Sequence, residues 1–235
     1  MEVRPRLTPE EYNVILEHRN NKSRVLVIGD LHSPFIKEGY LEFCQSIQQK
    51  YNCNEILFTG DLVDNHASGY HETDPDGHSA GQELEFARDK ILEWEKVFPK
   101  AKVCIGNHDL LPARKAFTAG LSNHWIKSIK EVLEVAWEFG EEFEIDGILY
   151  IHGTACKAHT RAQNELVSIV QGHYHSESYI RYFVGLERKI FAMQIGCGVD
   201  RRAYAMAYGK HFRKQHINCG VVIDGLPILE YMILT

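Results

Sequence analysis

The chain is 235 residues long, 44% hydrophobic and 25% charged, long enough to bury a sizeable core and ordinary in composition for a globular protein. Its formal net charge of −6 argues against a general nucleic-acid coat or a membrane-surface binder, both of which need a basic face. An enzyme that meets phosphate through bound cations stays open, because the ions supply the positive field locally.

Six scattered cysteines with no C-x-x-C pair, a charged N-terminus without an apolar signal core, and the absence of an apolar window of about 18 residues set the expectation of a cytoplasmic, reducing location. The thiols need no role beyond that of small buried apolar groups.

In chain order, Thr8, Pro9 and Glu11 have the spacing of a capping box that opens a helix over "TPEEYNVILEHR". "RVLVIGD" follows, with Val25 to Ile28 as a continuous apolar run of the kind buried on both faces. A helical stretch near 38–50 leads to a second such run, "EILFTGD". The segment 65–81 has neither helical nor strand period and holds His66, His71 and His78; loops of this length are often functional, and a substrate-selecting lid is the expectation. "GQELEFARDKILEWEKVF" then places Leu84, Ala87, Ile91, Leu92 and Trp94 on one helical stripe, and "AKVCIGNHD" is a third strand.

Strand–helix–strand–helix–strand implies parallel pairing with crossover helices. The second half changes character. "FEIDGILYIHG" carries an Asp-Gly hairpin signal, and "VSIVQGHYH", "YIRYFVG", "RKIFAMQIG" and "CGVVIDGLPILEYMIL" read as short strands. A mixed α/β fold with two sheets accounts for this better than one doubly wound sheet. No linker or repeat interrupts the chain, so residues 1–235 are expected to form a single domain.

Several strands end alike, in a glycine or histidine followed by metal-ligand chemistry: "GDLH" (Asp30, His32), "GDLVD" (Asp61, Asp64), "GNHD" (Asn107, His108, Asp109), "IHG" (His152) and "GHYH" (His173, His175). Strand ends are where open α/β sheets place their sites. A residue two before another leaves an extended segment on the same side, which would aim Asp30 with His32, and His173 with His175. Taken singly each motif is weak: Gly-Asp after a strand is mostly a turn, and a lone His152 is more often a core histidine. Five in this order call for a shared centre.

"GDLH … GDLVD … GNHD … HG … GHYH" resembles the calcineurin-like metallophosphoesterase superfamily, and the motifs run from Asp30 to His175 with none missing. The tails "GCGVDRRAYAMAYGK" and "INCGVVIDG" are similar to those of small phage and bacterial phosphoesterases. The resemblance implies a two-sheet mixed β-sandwich flanked by α-helices, with a two-metal site on its rim. Asp30, His32 and His175 would hold one ion, Asn107, His152 and His173 the other, and Asp61 would bridge them.

Imidazole with carboxylate and no thiolate suits two divalent ions, Mn²⁺ foremost, with Fe, Zn²⁺, Ni²⁺ or Co²⁺ as alternatives. Such a pair can share a hydroxide and clamp an in-line displacement at phosphorus. By resemblance, His108 acts as general acid to the leaving group and Asp64 orients it. Asp109 serves as a cap. Arg114 either grips a phosphate or is a solvated helix residue, and Arg161, Arg201 and Arg202 are weaker candidates.

The expected function is therefore hydrolysis of phosphomonoesters or phosphodiesters, of nucleotides or nucleic-acid ends, by a compact enzyme with no stable duplex binding, no membrane contact and an open oligomeric state. A serine/threonine protein phosphatase is the enzymatic alternative. It is weakened because Asn65 and Asp109 stand where those enzymes carry arginine and glutamate. A catalytically silent metal-binding scaffold is the alternative from another class.

Overall fold

The computed structural model describes residues 8–10, 23–70, 72–186, 188–209 and 214–234. The capping-box helix expected from Thr8 falls outside these residues apart from Thr8, Pro9 and Glu10, and His71 falls outside them too. The chain forms two sheets. One has six strands in the order β11-β10-β1-β2-β3-β4: β1 (Arg24–Ile28), β2 (Glu55–Phe58), β3 (Lys102–Cys104), β4 (Glu138–Gly140), β10 (Asn218–Ile223) and β11 (Leu226–Tyr231). The other has five strands in the order β5-β6-β7-β9-β8: β5 (Glu142–Ile145), β6 (Ile148–Ile151), β7 (Ser168–Gln171), β8 (Tyr179–Val184) and β9 (Lys189–Gln194). This is the expected two-sheet α/β sandwich.

Strand β1 shows why the layers form. Val25 and Val27 join the core between the sheets, whereas Leu26 and Ile28 join the core beneath the helices. A strand buried on both faces has no place for a polar residue, hence the unbroken apolar run. Helices α1 (Tyr40–Tyr51) and α2 (Ala80–Val97) cover the first sheet with Tyr40, Cys44 and Ile47, and with Ala87, Ile91 and Trp94. Ser79 and Gln82 form a capping box that starts α2. Its stripe departs from the expected one: Leu92 is exposed and Leu84 half-buried, and Glu83 is buried instead, its carboxylate accepting from the backbone N–H groups of His66 and Ala67.

The second sheet sends Ile148, Tyr150, Val170 and Met193 inward and Ile151, Ile169 and Ala192 outward. There the small Ala158 and Ala162 of α5 (Ala158–Glu165) let the helix pack close. The two short helices α3 (Leu111–Thr118) and α4 (Ile129–Leu133) lie between β3 and β4 in the chain.

Strands β1, β2, β3 and β4 run parallel, as do β6, β7 and β9. Parallel strands finish on the same edge, so the five motifs end on one rim of the sandwich. Among the described residues no helix is long and apolar enough to cross a membrane.

Candidate metal centre

At the rim the chain stops being extended. His32, Asp61 and His173 have φ of 47°, 47° and 68°, in the left-handed region. The alternation expected to aim Asp30 with His32, and His173 with His175, is therefore replaced by turns. The backbone N–H groups of Leu31 and His32 both donate to the Asp61 carbonyl, at 3.1 and 2.9 Å, which locks the first two motifs together. Left-handed backbone at non-glycine residues costs free energy and persists where surrounding contacts enforce it, typically at sites.

Asp30 is fully buried. Its Oδ1 accepts from the Thr59 hydroxyl at 2.9 Å, and its Oδ2 accepts from the His173 N–H at 2.9 Å and lies 3.0 Å from His175 Nε2. His32 Nδ1 lies 2.5 Å from Asp64 Oδ1, while its Nε2 is buried without a hydrogen-bond partner, 3.6 Å from Asp61 Oδ2. Asp30, His32 and His175 thus form one group whose ligand atoms lie within 4.8 Å of each other.

Asp61, His152 and His173 form a second such group. His152 Nδ1 points to the Thr59 carbonyl at 2.9 Å, so its Nε2 faces the site. Around that nitrogen stand Asn107 Oδ1 at 2.9 Å, His173 Nδ1 at 3.2 Å and Asp61 Oδ2 at 3.3 Å. Ligand atoms at right angles around an ion with bonds of about 2.1 Å are about 3 Å apart, so these spacings fit a metal ion. The orphaned Nε2 of His32 fits the other group in the same way. Asp61 Oδ2 is the atom that faces both.

The charges point the same way. Burial alone would raise the pKa of Asp30 and Asp61, but the facing imidazoles, His152 foremost, hold both below the ordinary carboxylate range. His152 moves in the opposite sense: burial works against its charge, yet Asp61 and Asp30 raise it to about 9. Burial and the neighbouring His108 lower His32. Protons on buried imidazoles therefore balance the two carboxylates wherever metal ions do not.

Asp64 departs from expectation. Its carboxylate is committed to His32, 2.5 Å away, and lies 3.7 Å from His108 Nδ1. The hydrogen bond that His108 Nδ1 makes, at 2.6 Å, is to the Asp64 backbone carbonyl. The cause is the turn itself, which points the carboxylate inward and leaves the carbonyl at the mouth. His32, Asp64 and His108 form a third close set, but the Nδ1 atoms of both rings and the Asp64 carboxylate are already paired in this way.

Asp109 does not cap the helix that follows, whose N-cap is Leu110 without a side-chain hydrogen bond; its carboxylate turns back instead. It accepts from the Gly106 N–H at 2.9 Å and the Val63 N–H at 3.3 Å, tying the third motif to the second, and burial with the neighbouring Asp61 raises its pKa to about 7.

Arg114 is exposed on α3 and lines a cavity of about 670 Å³ together with Asn107, His152 and His173. Arg161 lines the same cavity, where it is paired with Glu165 at 2.6 Å and Glu142 at 3.6 Å. Arg202 is paired with Asp200 at 3.0 Å, and Arg201 is exposed.

Several contributors had no individual signal in the sequence. Thr59 supports Asp30 with its hydroxyl and His152 with its carbonyl. Asn65, standing where a phosphatase arginine was sought, donates to the His108 carbonyl at 2.9 Å. The buried Cys197 stands beside His175, and with Asp30 it holds that imidazole well above its ordinary pKa against the effect of burial. The glycines before the motifs were the available clue. A Cβ on Gly106 would overlap Asp61 Oδ1, and one on Gly172 would overlap Thr59 Oγ1 and crowd Asp30 Oδ1.

The fold is similar to solved structures at low identity. Vps29 from Chaetomium thermophilum is 12% identical over 90% of this chain and 95% of its own, with a TM-score of 0.43. A metallophosphoesterase from Sphaerobacter thermophilus is 12% identical over 91% and 89%, with a TM-score of 0.45. The Escherichia coli phosphoesterase Yfce is 11% identical over 89% and 100%, with a TM-score of 0.40. No curated protein sequence matches the chain. The calcineurin-like phosphoesterase family model matches residues 23–189, a span that contains all five motifs. With an Asp/His centre able to hold divalent ions on the rim of its sandwich, this chain belongs to the calcineurin-like phosphoesterase family.

Proposed function

We propose that the protein is a two-metal phosphoesterase acting on phosphomonoesters or phosphodiesters of nucleotide type. One observation carries the reading: Asp61 Oδ2 of one ligand group lies 3.6 Å from His32 Nε2 of the other, and that buried nitrogen has no hydrogen-bond partner. A buried polar atom left unpaired costs about 1–3 kcal/mol, a cost removed when a cation is bound. Asp30, His32 and His175 would hold one ion, and Asn107, His152 and His173 the other, with Asp61 between. Bound there, two divalent ions, Mn²⁺ foremost, supply Lewis acidity toward a phosphoryl oxygen and bring water to a reactive state near neutral pH.

The protein's own groups supply the rest. Asn107 is neutral, so it adds a ligand without offsetting the positive charge that meets the phosphate. His108 has a side chain 22% exposed at the mouth of the site, with its backbone N–H held by Asp61 Oδ1 at 2.7 Å. Its Nδ1–H donates to the Asp64 carbonyl, which leaves Nε2 to hand a proton to the leaving-group oxygen. Arg114 stands on the wall of the cavity beside Asn107 and gives a departing or remaining phosphate a second cation. A small phosphoester or nucleotide is the partner that fits this cavity, in a reducing, cytoplasmic setting consistent with six free thiols.

A screen of Mn²⁺-loaded protein against mono- and diesters, including cyclic nucleotides, single-stranded DNA and a phosphopeptide, tests the proposal. Turnover of nucleotide esters that stops on chelation supports it. Activity that survives exhaustive chelation, or preference for the phosphopeptide, defeats it.

A further inference from the structure

The cavity beside Asn107 continues past Arg114. Leu110 and Arg114 also line a second hollow of about 350 Å³, whose other walls include Tyr70, Phe117 and Asn123. Phe117 is 75% exposed and Tyr70 55% exposed. Trp125, 84% exposed, ends the 3-10 turn Asn123–Trp125 that packs against α3. Single exposed aromatics are common on protein surfaces, but Tyr70 and Phe117 on one hollow beside a site call for a ligand.

The cations here are distinctive as well. Lys115 Nζ lies 4.3 Å from the Tyr70 ring centroid, and the Arg114 guanidinium carbon 5.5 Å. Among the described residues neither cation makes an ion pair, whereas Arg161 across the cavity is bound by Glu142 and Glu165. The far wall, with Glu141 and Glu142, is acidic, so the aromatic ledge is the side that attracts anions. Exposed aromatic rings beside cations without carboxylate partners are the parts that hold an unpaired nucleic-acid strand, bases on the rings and phosphates on the cations. The formal net charge of −6 makes this a local feature rather than a generally basic surface.

We infer that the ledge formed by Tyr70, Arg114, Lys115 and Phe117 is a subsite for the nucleotides flanking the scissile phosphoester in a single strand of nucleic acid. This rests on the phosphoesterase reading above and narrows its substrate. A mononucleotide occupies the first cavity alone and leaves the ledge empty. A duplex keeps its base faces stacked and offers the rings nothing. The strand runs from the metal centre past Arg114, the residue common to both hollows.

Binding of a fluorescein-labelled oligothymidylate about 8 nucleotides long, within the usual site size for strand-binding surfaces, is measured by anisotropy, first in EDTA and then with Mn²⁺. The Tyr70→Ala/Phe117→Ala double variant is expected to bind about tenfold more weakly. Tyr70→Phe/Phe117→Tyr, which keeps both rings, is expected to bind like the wild type. The ratio of KM for the oligonucleotide to KM for bis(p-nitrophenyl) phosphate should rise about as much in the double alanine variant.

Unchanged oligonucleotide binding in that variant overturns the inference. So does competition by thymidine monophosphate or by a duplex of equal length as strong as that of the single strand. Loss of self-association in the double variant, with no oligonucleotide bound by the wild type, would make the ledge a contact between copies of this chain. Wild type that hydrolyses the base-free diester but does not bind the oligonucleotide defeats this inference and leaves the phosphoesterase reading standing. Wild type that binds the oligonucleotide but hydrolyses no ester does the reverse.

Discussion

Asp64 Oδ1 lies 2.5 Å from His32 Nδ1, a pairing in which both side chains are almost completely buried. A carboxylate behind an imidazole fixes which nitrogen faces a metal and raises the basicity of that nitrogen. Asp64 is thereby tied to the interior of the centre first and to His108 only through its carbonyl.

Asp64→Asn and His108→Ala should therefore differ in kind. The first is expected to weaken metal binding about 10–100-fold, as loss of such support does elsewhere. The second should lower kcat by about 10²–10⁴ with metal content near that of the wild type. Elemental analysis beside steady-state kinetics separates them. Full metal content in Asp64→Asn would contradict the assignment of its carboxylate to His32.

Metal should also stabilise the fold. Asp30 and Asp61 are buried together, and Asp61 works to raise the pKa of both Asp30 and Asp109, so cations relieve a repulsion that the fold otherwise carries. At about 100 times Kd, a ligand binding only the folded state adds about 2.7 kcal/mol. Thermal unfolding with and without Mn²⁺ reads this directly. An unchanged Tm at saturating metal would argue that no ion enters the centre.

Metal binding should release protons. In the metal-free protein His152, raised to about 9, holds a proton at neutral pH, and a ligating imidazole must give it up. The two carboxylates are lowered and stay ionised at neutral pH, so they contribute no opposing term there. Affinity for Mn²⁺ is thus expected to climb as pH rises through neutrality, because His152 and His175, both raised, must give up their protons. Calorimetric titration in buffers of different ionisation heat counts the protons. Uptake of protons on binding, or affinity that falls as pH rises toward 9, would reverse the sign of the argument.

Gly106→Ala tests the closeness of the motifs to each other. The added methyl overlaps the Asp61 carboxylate and backbone N, so one of the two loops must shift. Overpacking of this kind costs about 1–3 kcal/mol, and the shift should also weaken metal binding because Asp61 faces both groups. Denaturant unfolding of the metal-free variant isolates the packing cost. Stability and metal affinity both equal to the wild type would mean that the loops separate freely.

Much of this was legible in the sequence because it is local. The doubly buried run at Val25–Ile28, the Asp-Gly turn at Asp146 and Gly147, and the five strand-end motifs each declare themselves within a few residues. The pairing of Asp64 with His32 rather than His108 was not, because it depends on left-handed backbone at His32 and Asp61 and on hydrogen bonds between loops about thirty residues apart.

The sequence by itself determined the two-sheet α/β sandwich, the alternation of strand and helix in its first half and the motifs that follow its strands. Hydrophobic period and glycine placement act over short stretches of chain, and parallel strands must end together. Only the tertiary structure decided which carboxylate backs which imidazole, that Thr59 serves both groups, and that Tyr70 and Phe117 meet Arg114 on a ledge beside the centre. Those relations are set by distances across the sandwich, which no local pattern encodes.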